Sequence, residues 1–366
     1  MKNYLYYIVF MFSPLFERVQ GQSVHNALVL PPDFTPAVST DSIAALLKDF
    51  PPGTCLSVAF VHGSKTAYWG IRLQNDTLQN THLREAVFEI GSLTKVFTSA
   101  LLHTLVQAGK LHLTDTVAAT AALVLKDNPP ITFQQLSSHT SGLPRLPSGM
   151  GWRMLNHPDN PYQDYDSTQL EKYLQKDLQL ENTPGTRYAY SNLGAGLLGY
   201  ALGKIMHAAP GTLFERFLFA PYGMKHTTFD KNKIENLLVA GLDKKGQPTA
   251  NWNLNALCGA GGLYSNAEDL VRFAQANFDV NNTTLEQQRR PVFSINDKMD
   301  IASGWHIIKR GNAGHQHWHN GGTGGYTSCM ILDIAQQKGI VILSNVSAFH
   351  KKMTNIDQLG AALLSF

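Results

Sequence analysis

Hydrophobic and polar positions along this chain fall into three rhythms. Residues 56–62 and 65–71 are almost unbroken runs of β-branched, aromatic and aliphatic side chains split by Gly63-Ser64, which predicts a hairpin. Residues 38–50 have helical spacing, an N-terminal signal at Thr40-Asp41 and a stop at Pro51-Pro52. A third short strand fits residues 87–90. Over residues 93–108, Val96, Phe97, Ala100, Leu101 and Leu105 recur at helical spacing, and Gly109 ends the run. Ser92 then stands at the N-terminal edge of a mostly buried helix.

The rhythm loosens between about 111 and 243, where loops rich in Pro and Gly separate helices predicted at 131–138, 167–178 and 193–206. It tightens again into short β-rich runs at 304–310, 315–320, 325–333 and 339–346, followed by a closing helix at 353–364. No internal repeat interrupts this order. The pattern predicts an α/β (α+β) fold: an antiparallel sheet flanked by helices and formed by both chain ends, with a mainly helical domain inserted. The α/β part covers about 40–110 and 250–366, the helical part about 111–249, and a cleft is expected where they meet.

Composition removes several functions. With 30 Lys and Arg against 27 Asp and Glu, the formal charge is +3 in 366 residues. Lys351-Lys352 and Arg289-Arg290 are isolated pairs, so no nucleic-acid partner is expected. The three cysteines, Cys55, Cys258 and Cys329, lack CxxC spacing and read as buried thiols rather than a disulfide frame or zinc ribbon. Residues 4–16 are apolar behind Lys2, and Glu17-Arg18 and Gly21 follow. That layout predicts a signal peptide over 1–21, a mature hydrolase over 22–366 and a periplasmic or secreted location. A retained N-terminal anchor is the alternative; the apolar run is short for a membrane span, and none is expected after the leader is removed.

The candidate chemistry begins at S-L-T-K, residues 92–95. Serine is a favoured helix cap, so Ser92 has an ordinary structural explanation. Yet residues three apart share a helix face, and a lysine buried in an apolar cleft can accept a serine proton. The helix N-terminus would favour a developing oxyanion. Two further stretches carry matching groups: P-G-T-R-Y-A-Y-S-N-L-G-A-G-L-L-G (184–199) and H-W-H-N-G-G-T-G-G-Y-T-S (317–328).

Together, S-L-T-K at 92–95, Y-S-N at 190–192 and H-N-G at 319–321, in that order, resemble the serine β-lactamase and penicillin-binding-protein superfamily. The nearest branch is that of class C β-lactamases, D-alanyl-D-alanine carboxypeptidases and D-aminopeptidases. L-S-S-H-T-S-G-L-P (136–144) and G-A-G-G-L-Y-S-N-A-E-D-L (259–270) extend the resemblance across about residues 40–365. Y-S-N occurs twice; Tyr264-Ser265-Asn266 precedes an amphipathic helix with an acidic first turn and reads as its cap, leaving Tyr190-Ser191-Asn192 as the second motif.

The resemblance implies a role for each residue. Ser92 attacks a carbonyl and forms an acyl-enzyme, and Lys95 and Tyr190 share the proton transfers, with the base among them left open. Asn192 binds the substrate amide and the lysine, and His319 and Gly321 form the third motif. The backbone N–H groups of Ser92 and Gly322 make the oxyanion hole. No cofactor is implied. The partners implied are a small D-amino-acid peptide or a β-lactam, with peptidoglycan as the parent polymer. His319 departs from the lysine of better-known β-lactamases, and a titratable imidazole is a weaker carboxylate clamp. An esterase with the same machinery and a non-catalytic binder of cell-wall peptides are the alternatives. Alternating His315, His317 and His319 could share one strand face, but no carboxylate is interleaved and no metal site is expected.

Overall fold

The computed structural model describes residues 24–157, 159–311 and 314–366. The leader assigned to 1–21 lies outside the described residues. The start of the chain supplies β1 (His25–Ala27), α1 (Thr40–Leu47), β2 (Cys55–His62), β3 (Lys65–Gln74) and β4 (Thr77–Thr81). Next come β5 (Val87–Glu89) and helix α2 (Thr94–Gln107), and β6 (Tyr264–Asn266) follows far along the chain. The end supplies β7 (Phe293–Asn296), β8 (Met299–Ile301), β9 (His306–Lys309), β10 (His315–Gly322), β11 (Thr327–Asp333) and β12 (Lys338–Ser344), then the closing helix Asn355–Leu363.

Among the described residues, ten strands form one sheet in the order β1-β4-β3-β2-β12-β11-β10-β9-β8-β7. The two chain ends join where β12 pairs antiparallel with β2, Ile340 opposite Phe60 and Val341 opposite Ala59. The expected all-antiparallel sheet needs one correction: β1 runs parallel to β4 at one edge. Helix α1 and a hairpin separate these two strands, so no tight turn forces them to run in opposite directions.

Central strands are buried on both faces, and their period of two divides the apolar residues between two cores. Leu56, Val58, Phe60, Ile340, Ile342 and Ile331 pack on one side with Ile43 and Leu47 of α1 and Ile356, Leu359 and Leu363 of the closing helix. Ala59, Val61, Val341, Leu343, Met330 and Leu332 face the other way, toward α2 and the helical segment. This explains why these strands read as continuous apolar runs. The strand expected at 87–90 forms as β5 but leaves the main sheet to pair with β6. Tyr264–Asn266 is therefore a strand as well as a cap, Asn266 Oδ1 accepting from the Asp269 N–H at 2.8 Å. Among the described residues no helix is long and apolar enough to cross a membrane.

Two backbone contacts bring the halves together. In helix Asn192–Ile205, Cβ atoms on Gly196 or Gly199 would lie 2.5 Å from Leu257 Cδ2 and 3.0 Å from Gly259 Cα. Only glycine lets the turn Asn255–Ala260 rest on this helix. At the end of β10, a Cβ on Gly321 would fall 1.9 Å from the Ile90 carbonyl oxygen and 2.6 Å from Ser328 Oγ, which itself donates to Ile90 O at 2.8 Å. Gly321→Ala is therefore expected to destabilise by about 1–3 kcal/mol through overpacking. A thermal melt unchanged from wild type would contradict this close approach.

Candidate active site

Ile90 follows β5, and Gly91–Leu93 form a 3₁₀ turn that runs directly into α2. Gly91 has φ +51°, and a Cβ there would sit 2.4 Å from the Gly322 nitrogen. The turn that carries Ser92 is thus wedged against the end of β10. One helical turn on, Lys95 is only 2% exposed. Its Nζ lies 3.0 Å from Ser92 Oγ and 2.6 Å from the carbonyl oxygen of Ala260. Among the described residues no carboxylate forms an ion pair with it. Burial, aided by the positive charge of Arg145, holds the amine well below the usual lysine range.

Tyr190 leads into helix Asn192–Ile205, whose cap Ser191 accepts from the Gly194 N–H at 2.8 Å and donates to Pro144 O at 2.7 Å. Burial pushes the Tyr190 hydroxyl up to about 12, with a hydrogen bond to Ser92 and the charge of Arg145 opposing it. The Tyr190 ring stacks on His139, centroids 4.4 Å apart, and lies 4.9 Å from Lys95 Nζ. His139 Nδ1 accepts from the Ser191 N–H at 3.2 Å, so its proton sits on Nε2, which has no partner. Asn192 reaches the same cleft, but its side chain pairs with Tyr162 and its Oδ1 does not take a hydrogen bond from Lys95. The Ala260 carbonyl occupies the position expected for Asn192 beside the lysine, because the glycine-faced helix brings that turn so close.

The third stretch differs more from expectation. His319 is 2% exposed, and its Nδ1–H donates to Asn320 O at 2.6 Å, leaving Nε2 as an unpartnered acceptor. Burial, then the nearby His306 and Lys95, hold it well below the usual imidazole range. His319 is therefore held toward its neutral form, which presents a lone pair at Nε2 and weakens the carboxylate clamp expected of it. His306, 5.5 Å away ring to ring, is also pushed down to about 4, and its Nε2 meets the Tyr188 hydroxyl at 2.8 Å. His315 is exposed and His317 contacts Arg289 O, so the alternating histidines do not converge. Among the described residues no cluster of His, Cys, Asp or Glu is built to hold a metal ion.

Ser92, Asn192, Gly322, Tyr162, Trp252 and Ala260 line one small cleft. A larger cavity of about 700 Å³ lies beside Ser92 rather than at it, sharing Trp252 and Leu254 with the small cleft. Sequence reasoning missed Glu89, Arg145, Tyr162 and Trp252. Tyr162 and Arg145 fall in a loop without periodicity, and Glu89 looks like an exposed strand position. Instead, Glu89 is buried and its Oε1 accepts from the Trp252 N–H at 2.8 Å, while its Oε2 has no partner.

Sheet, helix and site together bring Ser92, Lys95 and Tyr190 side by side. The Beta-lactamase family model matches residues 44–364, and the chain belongs to that family. It is 31% identical over 232 residues to the D-alanyl-D-alanine-carboxypeptidase/endopeptidase AmpH of Escherichia coli K12, which covers 61% of this chain and 57% of that protein. Against a Providencia stuartii beta-lactamase the identity is 32% over 228 residues, covering 61% of this chain and 55% of the other. The chain thus spans little more than half the length of these relatives. Its fold superimposes on a Pseudomonas syringae beta-lactamase/D-alanine carboxypeptidase with TM-score 0.73, at 21% identity, covering 88% and 96% of the two chains. For D-alanine carboxypeptidase AmpC from Burkholderia cenocepacia the TM-score is 0.71, at 22% identity and 89% and 97% coverage.

Burial raises the Glu89 carboxyl from its ordinary 4.5 to about 7, against the hydrogen bond from the Trp252 N–H. Because the folded state holds this proton more tightly, Glu89 makes stability fall as pH rises from about 4.5 through about 7, by on the order of 3 kcal/mol. Glu89→Gln is expected to flatten that part of the profile in melts taken between pH 5 and 8. An unaltered slope would refute the assignment.

Proposed function

We propose that the protein is an exported serine hydrolase that acylates Ser92, cleaving the amide of a D-amino-acid peptide or a β-lactam ring. The observation that carries this reading is the buried Lys95 amine 3.0 Å from Ser92 Oγ with no anion to keep it charged. A neutral amine keeps one N–H on Ala260 O and turns its lone pair to the serine proton. The opposite shifts of Lys95 and Tyr190 divide their roles: the lysine is the resting base, and the phenol, protonated at neutral pH, delivers a proton to the leaving nitrogen. The N–H groups of Ser92 and Gly322 face the attacked carbonyl oxygen as it gains charge, and Asn192 with Tyr162 lines the acyl side. The cleft divides an α/β part, about 40–110 and 250–366, from a helical part, about 111–249. Export and access to peptidoglycan rest on the apolar segment at 4–16.

A second reading, hydrolysis of small uncharged esters, draws on the neutral His319, which leaves the third motif without a cation. The first test is intact mass after brief exposure to a penicillin. Wild type is expected to gain the drug's mass or to consume the drug, and Ser92→Ala to do neither. Equal labelling of the two proteins would overturn the assignment of Ser92, whereas drug left intact by both would put the ester reading first. Lys95→Ala is expected to slow acylation by about 10²-fold or more while still melting cooperatively; acylation at the wild-type rate would remove Lys95 as base.

A further inference from the structure

With His319 neutral and Lys95 buried, the cleft needs another cation if its substrate carries a carboxylate. Arg145 follows Pro144 directly at the end of L-S-S-H-T-S-G-L-P and is exposed. Its guanidinium lies 5.1 Å from the centroid of the Tyr190 ring, the ring whose hydroxyl bonds Ser92. The backbone beneath it is anchored: the N–H groups of Asn192 and Leu193 both donate to Arg145 O, at 2.9 and 3.2 Å. The charge is felt by Lys95, Tyr190, Tyr162, Tyr188 and His139, which places it at the site from several directions. Among the described residues no carboxylate lies within ion-pair distance of it. A guanidinium stacked on one aromatic face keeps its in-plane N–H fork free for a planar anion.

We propose that Arg145 is the substrate-binding residue that recognises a carboxylate on the substrate, in place of His319. This rests on the Ser92 reading and deepens it. The same chemistry has two sources. A carboxylate on the departing amino acid lies one carbon from the nitrogen that Tyr190 protonates, and a carboxylate on the acyl arm would approach past Asn192 and Tyr162. In either case His319 Nε2, an acceptor, repels a carboxylate and suits an O–H or N–H donor.

Three acyl thioesters separate these cases: one with a carboxylate on the leaving group, one with a carboxylate on the acyl arm, and one with neither. Each is assayed for kcat/KM with the full chain, Ser92→Ala, Arg145→Ala and Arg145→Lys, and folding is checked by melting. Arg145→Ala is expected to lower kcat/KM for one carboxylate ester by about tenfold or more relative to the uncharged ester, chiefly through KM. The affected ester identifies the source, and Arg145→Lys, which keeps the charge without the fork, is expected to recover part of the loss. Equal effects on all three esters overturn the proposal and leave Ser92 in place. Absence of Ser92-dependent turnover of any ester by wild type overturns both together.

Discussion

Lys95 Nζ sits 2.6 Å from Ala260 O and 3.0 Å from Ser92 Oγ, inside protein and away from any paired carboxylate. Holding a lysine there requires three separate parts of the chain. The first turn of α2 supplies the amine, Asn255–Ala260 supplies the carbonyl, and the glycine-faced helix Asn192–Ile205 lets that turn come close. Thr98 of α2 reinforces the contact, donating to Gly259 O at 2.7 Å. Burial of an amine disfavours its charged form, so the packing that makes this turn possible also lowers the hold of Lys95 on its proton.

The same economy runs through the other groups. Tyr190, Tyr188, His139, His306 and His319 are held neutral near the nucleophile, each by loss of water more than by any one partner. Around them Asn192 Oδ1, His139 Nε2, His306 Nδ1 and His319 Nε2 are buried without partners. Such orphaned atoms are costly in a finished core and are expected where a substrate completes the hydrogen bonding. Beside these neutral donors and acceptors, Arg145 brings an exposed positive charge to within 5.1 Å of the Tyr190 ring.

Glu89 links this site to its surroundings. It precedes the Ile90-Gly91-Ser92 corner and accepts from the Trp252 N–H at 2.8 Å, so the turn that carries Ser92 and the loop shared by two cavities meet on one buried carboxyl. At the sheet's other face, Asp357 of the closing helix accepts from Asn320 Nδ2 at 2.8 Å and from Trp318 Nε1 at 3.2 Å. These two contacts hold β10 against the closing helix.

Local pattern alone determined the hairpin β2–β3, helix α2 with Ser92 and Lys95 one turn apart at its start, and the terminal strands β9–β12, whereas Tyr190 was marked by the family resemblance. Those features depend on neighbours within a turn or a pleat, and periodicity records such neighbours directly. It also showed that both ends are β-rich, though not that β1 would run parallel to β4 or that β5 would leave the main sheet for β6. Only the tertiary structure decided that Ala260 O rather than Asn192 Oδ1 accepts from Lys95, that burial disfavours the charged form of His319, and that Glu89, Tyr162 and Arg145 lie close to the Ser92 cleft. Each of those outcomes depends on removal of water or on contact between residues far apart in the chain, and a linear pattern carries no record of either.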